Sequence, residues 1–386
     1  MGMKEEVHQE FYKSRLEYNN KWPNKILNND SCTNLQENFL QLLKKHNMNQ
    51  LFSPLKLKDI DNPVINVTVS YIIDALDQLP QRPDIAFDQI WRALDYQFHY
   101  LKRTRNWNDK NRTLGMMEQT VNELLCDYLR NNKYNAIKKM VRMLAGIIPN
   151  QTGEYIARRL FDEEGESAAS HVIDHQSRIQ DRFKNSIFQN DLYREFESKY
   201  EFIKKQEQLI RDTKIFKLEK DLKSKVNRQN IQRKINKLKV SPSKSSAIYQ
   251  TGRLACYLVN GETIEFTLED KKVKYNLSDE QLMKLIVLGL LYTYRNERFH
   301  GSIFSSTFRS SNANLNTYAH AYYMFILAYF ILLTLIAPIL HDECSEYHSL
   351  EEVFDEISNN ILNNTKQFET IFSKQIFKKR RNDIKV

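Results

Sequence analysis

Three features of the 386-residue chain predict a mostly α fold: few helix breakers, long apolar stripes at helical spacing, and one concentrated run of basic charge. Glycine and proline number only 9 and 8. That scarcity favours helices over loop-rich or all-β architectures. The length leaves room for two domains, or for one domain with large insertions. Cys32, Cys126, Cys256 and Cys344 lie far apart with no C-x-x-C pair. They predict free thiols in a reducing cytoplasm and no zinc frame. The first ten residues are polar and charged, so no signal peptide is expected. A net charge of +9 favours an anionic partner. Between Lys204 and Lys244, 14 Lys/Arg face 4 Asp/Glu, so this one segment supplies the basic character.

Taken in order, residues 1–60 predict a polar helical leader, amphipathic near Leu35 to Lys45, with an irregular connection between Pro54 and Pro63. Val64 to Leu79 predicts a helix that Pro80 stops. Pro83-Asp84 opens the next, where Phe87, Ile90, Trp91, Leu94, Phe98 and Leu101 recur at spacings of three and four, a core-facing stripe. The same helix carries Arg92 and His99, seven apart and nearly on one face. Ion pairing of Arg92 with Asp95 or Asp88 is the expectation at that spacing. Trp107, in a polar and basic loop, either stacks on a nucleic-acid base or folds back onto the core. Thr113 to Met143 predicts two helices broken near Asn131-Asn132. His171 and His175 stand at i, i+4, a zinc-compatible spacing. Without H-E-x-x-H or a nearby cysteine they read as a surface pair.

From Asn185 to Leu238 the pattern predicts a long basic helical arm with a narrow apolar side that includes Leu209, Ile215, Phe216 and Leu218. Its candidate phosphate-backbone contacts are Lys217, Lys220, Lys223, Arg233, Lys234 and Lys237; a coiled-coil arm is the alternative. Residues 241–246 read as a linker. Leu254 to Val259, Thr263 to Leu268 and Val273 to Tyr275 predict a small antiparallel β-meander, with Asn260-Gly261 as a hairpin turn. Ser278 with Gln281 forms a capping box for a helix buried through Leu282, Leu285, Ile286, Leu288 and Leu291. Tyr318 to Leu340 is apolar enough to span a bilayer by length. Its tyrosines, Pro338 and the lack of an adjacent basic cluster favour a core or dimer-interface helix and no membrane. Asp355 to Val386 predicts a final amphipathic helix.

The capped helix ends in Tyr294-Arg295-Asn296-Glu297-Arg298-Phe299-His300-Gly301, an R-N-x-x-x-H arrangement with Gly301 as a candidate cap. Histidine titrates near neutrality and can act as acid or base. Arginine stays charged and offers a planar fork of donors to phosphate oxygens. Asn296 is placed to orient the phosphate or the imidazole. On an ideal helix Arg295 and His300 point about 140° apart, so a helix end or a partner chain must bring them together.

These residues resemble the signature of the HEPN superfamily. The resemblance implies an α-helical bundle, here spanning roughly 64–150 and 276–375, with the charged arm (151–246) and the meander (254–275) between the halves. The helix bearing Trp91 would open that bundle. The implied activity is metal-independent RNA cleavage of the toxin or antiviral-defence kind, without cofactor. Arg295, Asn296 and His300 would be catalytic, in a cleft shared by a homodimer. An antitoxin or defence-system partner is implied as well. The alternative is a non-catalytic module that binds RNA or nucleotide, or serves as a protein-interaction subunit.

Overall fold

The computed structural model describes residues 34–57, 60–107, 113–161, 189–224, 230–232, 234–235, 243–261, 263–268, 271–299 and 314–378. It is mostly helical. Helices α1 (Asn34–Lys45), α2 (Pro63–Leu76) and α3 (Pro83–Thr104) open it. Next, α4 (Thr113–Thr120) runs through a π-helical turn into α5 (Cys126–Arg130), followed by α6 (Asn135–Gly146) and α7 (Asn150–Phe161). The arm is α8 (Gln189–Ser224), and α9 (Ser243–Val259) returns to the bundle. After the strands come α10 (Asp279–Lys284), a π-helical stretch (Leu285–Leu291) and α11 (Tyr292–Phe299), then α12 (Leu315–Glu343) and α13 (Leu350–Phe372).

Helix α12 is the axis. Every residue from Tyr318 to Ala337 is buried, with α3, α7, α13 and the π-helical stretch packed around it. By length and composition it passes as a membrane span, yet it is wrapped inside the bundle. Its tyrosines show how an apolar helix is tied into a polar chain. Tyr318, Tyr322 and Tyr323 donate their hydroxyls to the carbonyls of Gln81, Pro80 and Leu144, and the Leu55 N–H donates to the Tyr329 hydroxyl. Each ring buries apolar area while its hydroxyl pairs with a backbone group, in the connections at Leu55 and Pro80-Gln81 and in the last turn of α6 at Leu144.

The stretch read as a polar helical leader contributes to this core from residue 34 onward. Phe39 stacks on Tyr318 at 4.2 Å and on Phe372 at 5.9 Å. Phe52 meets Phe325 and Tyr329 edge-on. Asn364 of α13 then clamps the turn beside Phe52: the Ser53 N–H donates to its Oδ1 at 2.8 Å, and its Nδ2 donates to the Ser53 carbonyl at 2.9 Å.

Three further expectations are corrected. Leu254 to Val259 is the end of α9, and Ser243 to Ser246 begins that helix where a linker was expected. Asn260-Gly261 closes the helix, with Gly261 at φ +81° and its N–H donating to the Leu258 carbonyl. A left-handed glycine ends a helix as readily as it turns a hairpin. What remains of the meander is one antiparallel pair, Ile264–Leu268 with Lys271–Tyr275, in which Phe266 faces Val273. Helix α9 is held against α7 by a glycine crossing. A Cβ on Gly153 would lie 2.3 Å from the Gly252 carbonyl oxygen, and one on Gly252 would lie 2.6 Å from the Glu154 nitrogen. The last helix also ends earlier than expected, at Phe372; beyond it Ile376 bridges to Pro149.

Candidate active site

The motif helix is fixed at its start. Ser278 and Gln281 form the reciprocal capping box, and Arg142 of α6 donates to the Leu277 carbonyl at 3.0 Å. The following residues, Leu285 to Leu291, are all buried in a π-helical stretch. Wider turns of this kind shift the angular phase of everything after them, so faces extrapolated from an ideal helix do not carry through to Arg295. Tyr294 then anchors the end. It is 7 % exposed, with its ring edge-on to Phe87, Tyr155 and His320, and burial raises its phenol above the ordinary value.

Arg295 and Arg298 take opposite roles. The guanidinium of Arg298 is 13 % exposed and donates twice to Asp88, from Nε and Nη2, both at 2.6 Å, with Asp84 Oδ2 at 3.4 Å. It is a buried tether between α11 and α3. Arg295 is half-buried. Its Nη1 donates to Asn296 Oδ1 at 3.0 Å, and its guanidinium lies over the rings of Phe299 (5.1 Å) and Trp91 (5.9 Å). Asn296 is only 1 % exposed. Its amide oxygen accepts from Arg295 and holds that side chain.

Arg295 lines a cleft of about 530 Å³ between α11 and α3. Phe299 and Trp91 wall it, and Arg92, Asp95, His99 and Arg103 of α3 face it. The expected ion pairing of Arg92 does not occur: Arg92 donates to Gln89 at 3.4 Å, while Asp88 is engaged by Arg298. Asp95 instead sits 3.9 Å from His99 Nε2 and accepts from the Thr113 hydroxyl at 3.2 Å. The seven-residue spacing of Arg92 and His99 was visible in the sequence; their position opposite Arg295 was not.

His300 and Gly301 lie outside the described residues, as do His171, His175, Arg233 and Lys237. Lys217, Lys220 and Lys234 are exposed, and Lys223 belongs to α8. The apolar side expected for the arm is split. Leu209 and Phe216 are exposed, whereas Ile215 and Leu218 are half-buried. Trp107 is 8 % exposed and folds back onto the core. Among the described residues no group of three or more His, Cys, Asp or Glu side chains is arranged to hold a metal ion. Cys126, Cys256 and Cys344 are buried free thiols, and burial pushes Cys256 up to about 12. No family model matches the chain, nor does any curated protein or solved structure.

Proposed function

We propose that this chain is a metal-independent endoribonuclease with a HEPN-like helical bundle, of the toxin or antiviral-defence kind. The observation that carries the reading is Arg295, pre-oriented by buried Asn296 and two aromatic faces at the mouth of an arginine-lined cleft, five residues before His300. In this reading the RNA 2′-hydroxyl attacks the adjacent phosphorus and the bond to the 5′-oxygen breaks. Arg295 stabilises the charge that develops on the phosphoryl oxygens, and His300 moves a proton as acid or base. Asn296 keeps the guanidinium in place. The exposed lysines of the arm draw RNA toward the cleft. A two-fold dimer would face two motif helices and bring a second Arg–His pair to the same phosphate. The cytoplasm, with RNA as substrate and an antidote or defence protein as partner, is the setting this reading implies.

The test is cleavage of single-stranded RNA in EDTA. Products should carry 2′,3′-cyclic phosphate or 3′-phosphate ends and 5′-hydroxyls. Arg295→Ala and His300→Ala should each lose at least about two orders of magnitude, the scale of a general acid/base or an electrostatic stabiliser. Cleavage that requires Mg²⁺, or that survives both substitutions, overturns the proposal.

A further inference from the structure

We infer that the cleft is a phosphodiester site built by two helices of one chain: Arg92 of α3 and Arg295 of α11 grip an RNA phosphate, and His99 carries one of the protons. The inference rests on the ribonuclease reading for its chemistry, but its binding half stands on the cleft alone.

Arg92, Asp95, His99 and Arg103 follow one another at spacings of three, four and four, so they form a single polar stripe along α3. That stripe runs opposite the buried stripe of Phe87, Ile90, Leu94 and Phe98, and it faces Arg295 across the cleft. Three arginines against one aspartate make the cleft a trap for anions. Among the described residues the aspartate is not spent on an arginine; it lies beside His99 and accepts from Thr113. The carboxylate lies beside one ring nitrogen, at 3.9 Å. His99 is itself half-exposed, so its ring remains open to a substrate.

Two features point to a ligand in the cleft. Trp91 is 2 % exposed and lines the wall, yet its indole N–H has no acceptor among the described residues. A buried donor without an acceptor is costly, and a phosphate oxygen is assigned here as its acceptor once the wall side chains shift to admit the ligand. The rim also carries Tyr71 and Tyr96. Tyrosine faces beside arginines suit a base next to its phosphate, which favours a single-stranded nucleic acid over a free anion.

The chemistry balances with two proton carriers. One takes the proton from the 2′-hydroxyl as O2′ bonds to phosphorus. The other gives a proton to the 5′-oxygen as its bond to phosphorus breaks, leaving a cyclic phosphate and a 5′-hydroxyl. In this inference His99 is one carrier; in the ribonuclease reading the other role falls to His300.

The experiment uses the full chain and two versions of one short RNA: a labelled 2′-O-methyl form that resists cleavage, and the ribo form. Arg92→Gln and Arg295→Ala should each weaken binding of the 2′-O-methyl form about tenfold, the scale of one charge-assisted hydrogen bond. The double variant should lose less than the product of the two, because both grip one phosphate. His99→Ala should bind within about threefold of wild type but cleave the ribo form at least about a hundredfold more slowly. Added imidazole should restore part of that rate, which a merely structural histidine would not allow. If cleavage depends on Arg295 while Arg92→Gln and His99→Ala change neither binding nor rate, the inference fails and the ribonuclease reading stands. If the wild type does not cleave, that reading fails and the binding arm alone decides the cleft. Inorganic phosphate competing as well as the oligonucleotide, phosphate for phosphate, would overturn the assignment to RNA.

Discussion

Arg295 and Arg298 stand one turn apart on α11, and both reach α3, yet the two ends of that contact are built for different ends. The N-terminal half of α3 presents Asp84 and Asp88, which close around Arg298. Burial alone would lower the Arg298 guanidinium, but its hydrogen bonds and the nearby carboxylate charge raise it above the ordinary value instead. Burial lifts the Asp88 carboxyl against the opposite pull of Arg298. From Arg92 onward α3 presents Arg92, His99 and Arg103 with one aspartate, and leaves Arg295 beside an open cleft. Where charge is neutralised the contact is a lock; where cations outnumber carboxylates it is a receptor. The lock positions the receptor, because Arg298 fixes the turn of helix from which Arg295 projects.

Breaking the lock should give the largest effect on stability. Arg298→Ala strands the half-buried Asp88, while Asp84 keeps its two hydrogen bonds from Arg82. Removing one partner of a buried pair costs about 3–5 kcal/mol, which sets the upper bound here. Arg295→Ala should cost no more than about 1 kcal/mol, the scale of its contacts with Trp91 and Phe299. Urea denaturation of both variants separates the roles. Equal destabilisation would mean that Arg295 too is structural.

This division explains what could be read from the chain and what could not. Local rules served well: the stripe from Phe87 to Leu101 is buried, and the Ser278–Gln281 box caps its helix. Leu254 to Val259 misled because its residues suit a buried strand and a buried helix alike, and Asn-Gly ends either. Residues 34–57 misled because their polar surroundings hid Phe39 and Phe52, which matter only through rings nearly three hundred residues away. For the site, the sequence supplied Arg295 and Asn296 and the Arg92–His99 spacing. It could not show that α3 and α11 face each other, nor that Arg298 had already claimed Asp88. Facing is a product of packing around α12 and of the π-helical phase shift, and neither has a local signature.

A smaller change sharpens the receptor half of the comparison. Trp91→Phe keeps an aromatic wall under Arg295 but deletes the indole N–H. The fold should lose less than about 1.5 kcal/mol, as for other conservative core exchanges. If the indole N–H donates to phosphate as inferred, binding of the 2′-O-methyl oligonucleotide should fall several-fold. Fluorescence anisotropy measures it. Unchanged affinity would leave that buried N–H without a role in the cleft.

The arm gives the smallest expected effect on stability and the cleanest on salt dependence. Lys217, Lys220 and Lys234 are exposed, so glutamine at all three should leave the denaturation midpoint nearly unchanged. Each phosphate contact on a single strand contributes about −0.7 to the slope of log K against log salt. Losing three contacts should therefore flatten that slope by about 2. Arg92→Gln should change it by less than one contact's worth of counterion release while cutting affinity more per residue, because a walled cleft is screened less than an open helix face. Titrations of the same oligonucleotide at several salt concentrations compare the two directly. A slope unmoved by the three lysine substitutions would make α8 a structural arm and leave the cleft with the phosphate contacts to itself.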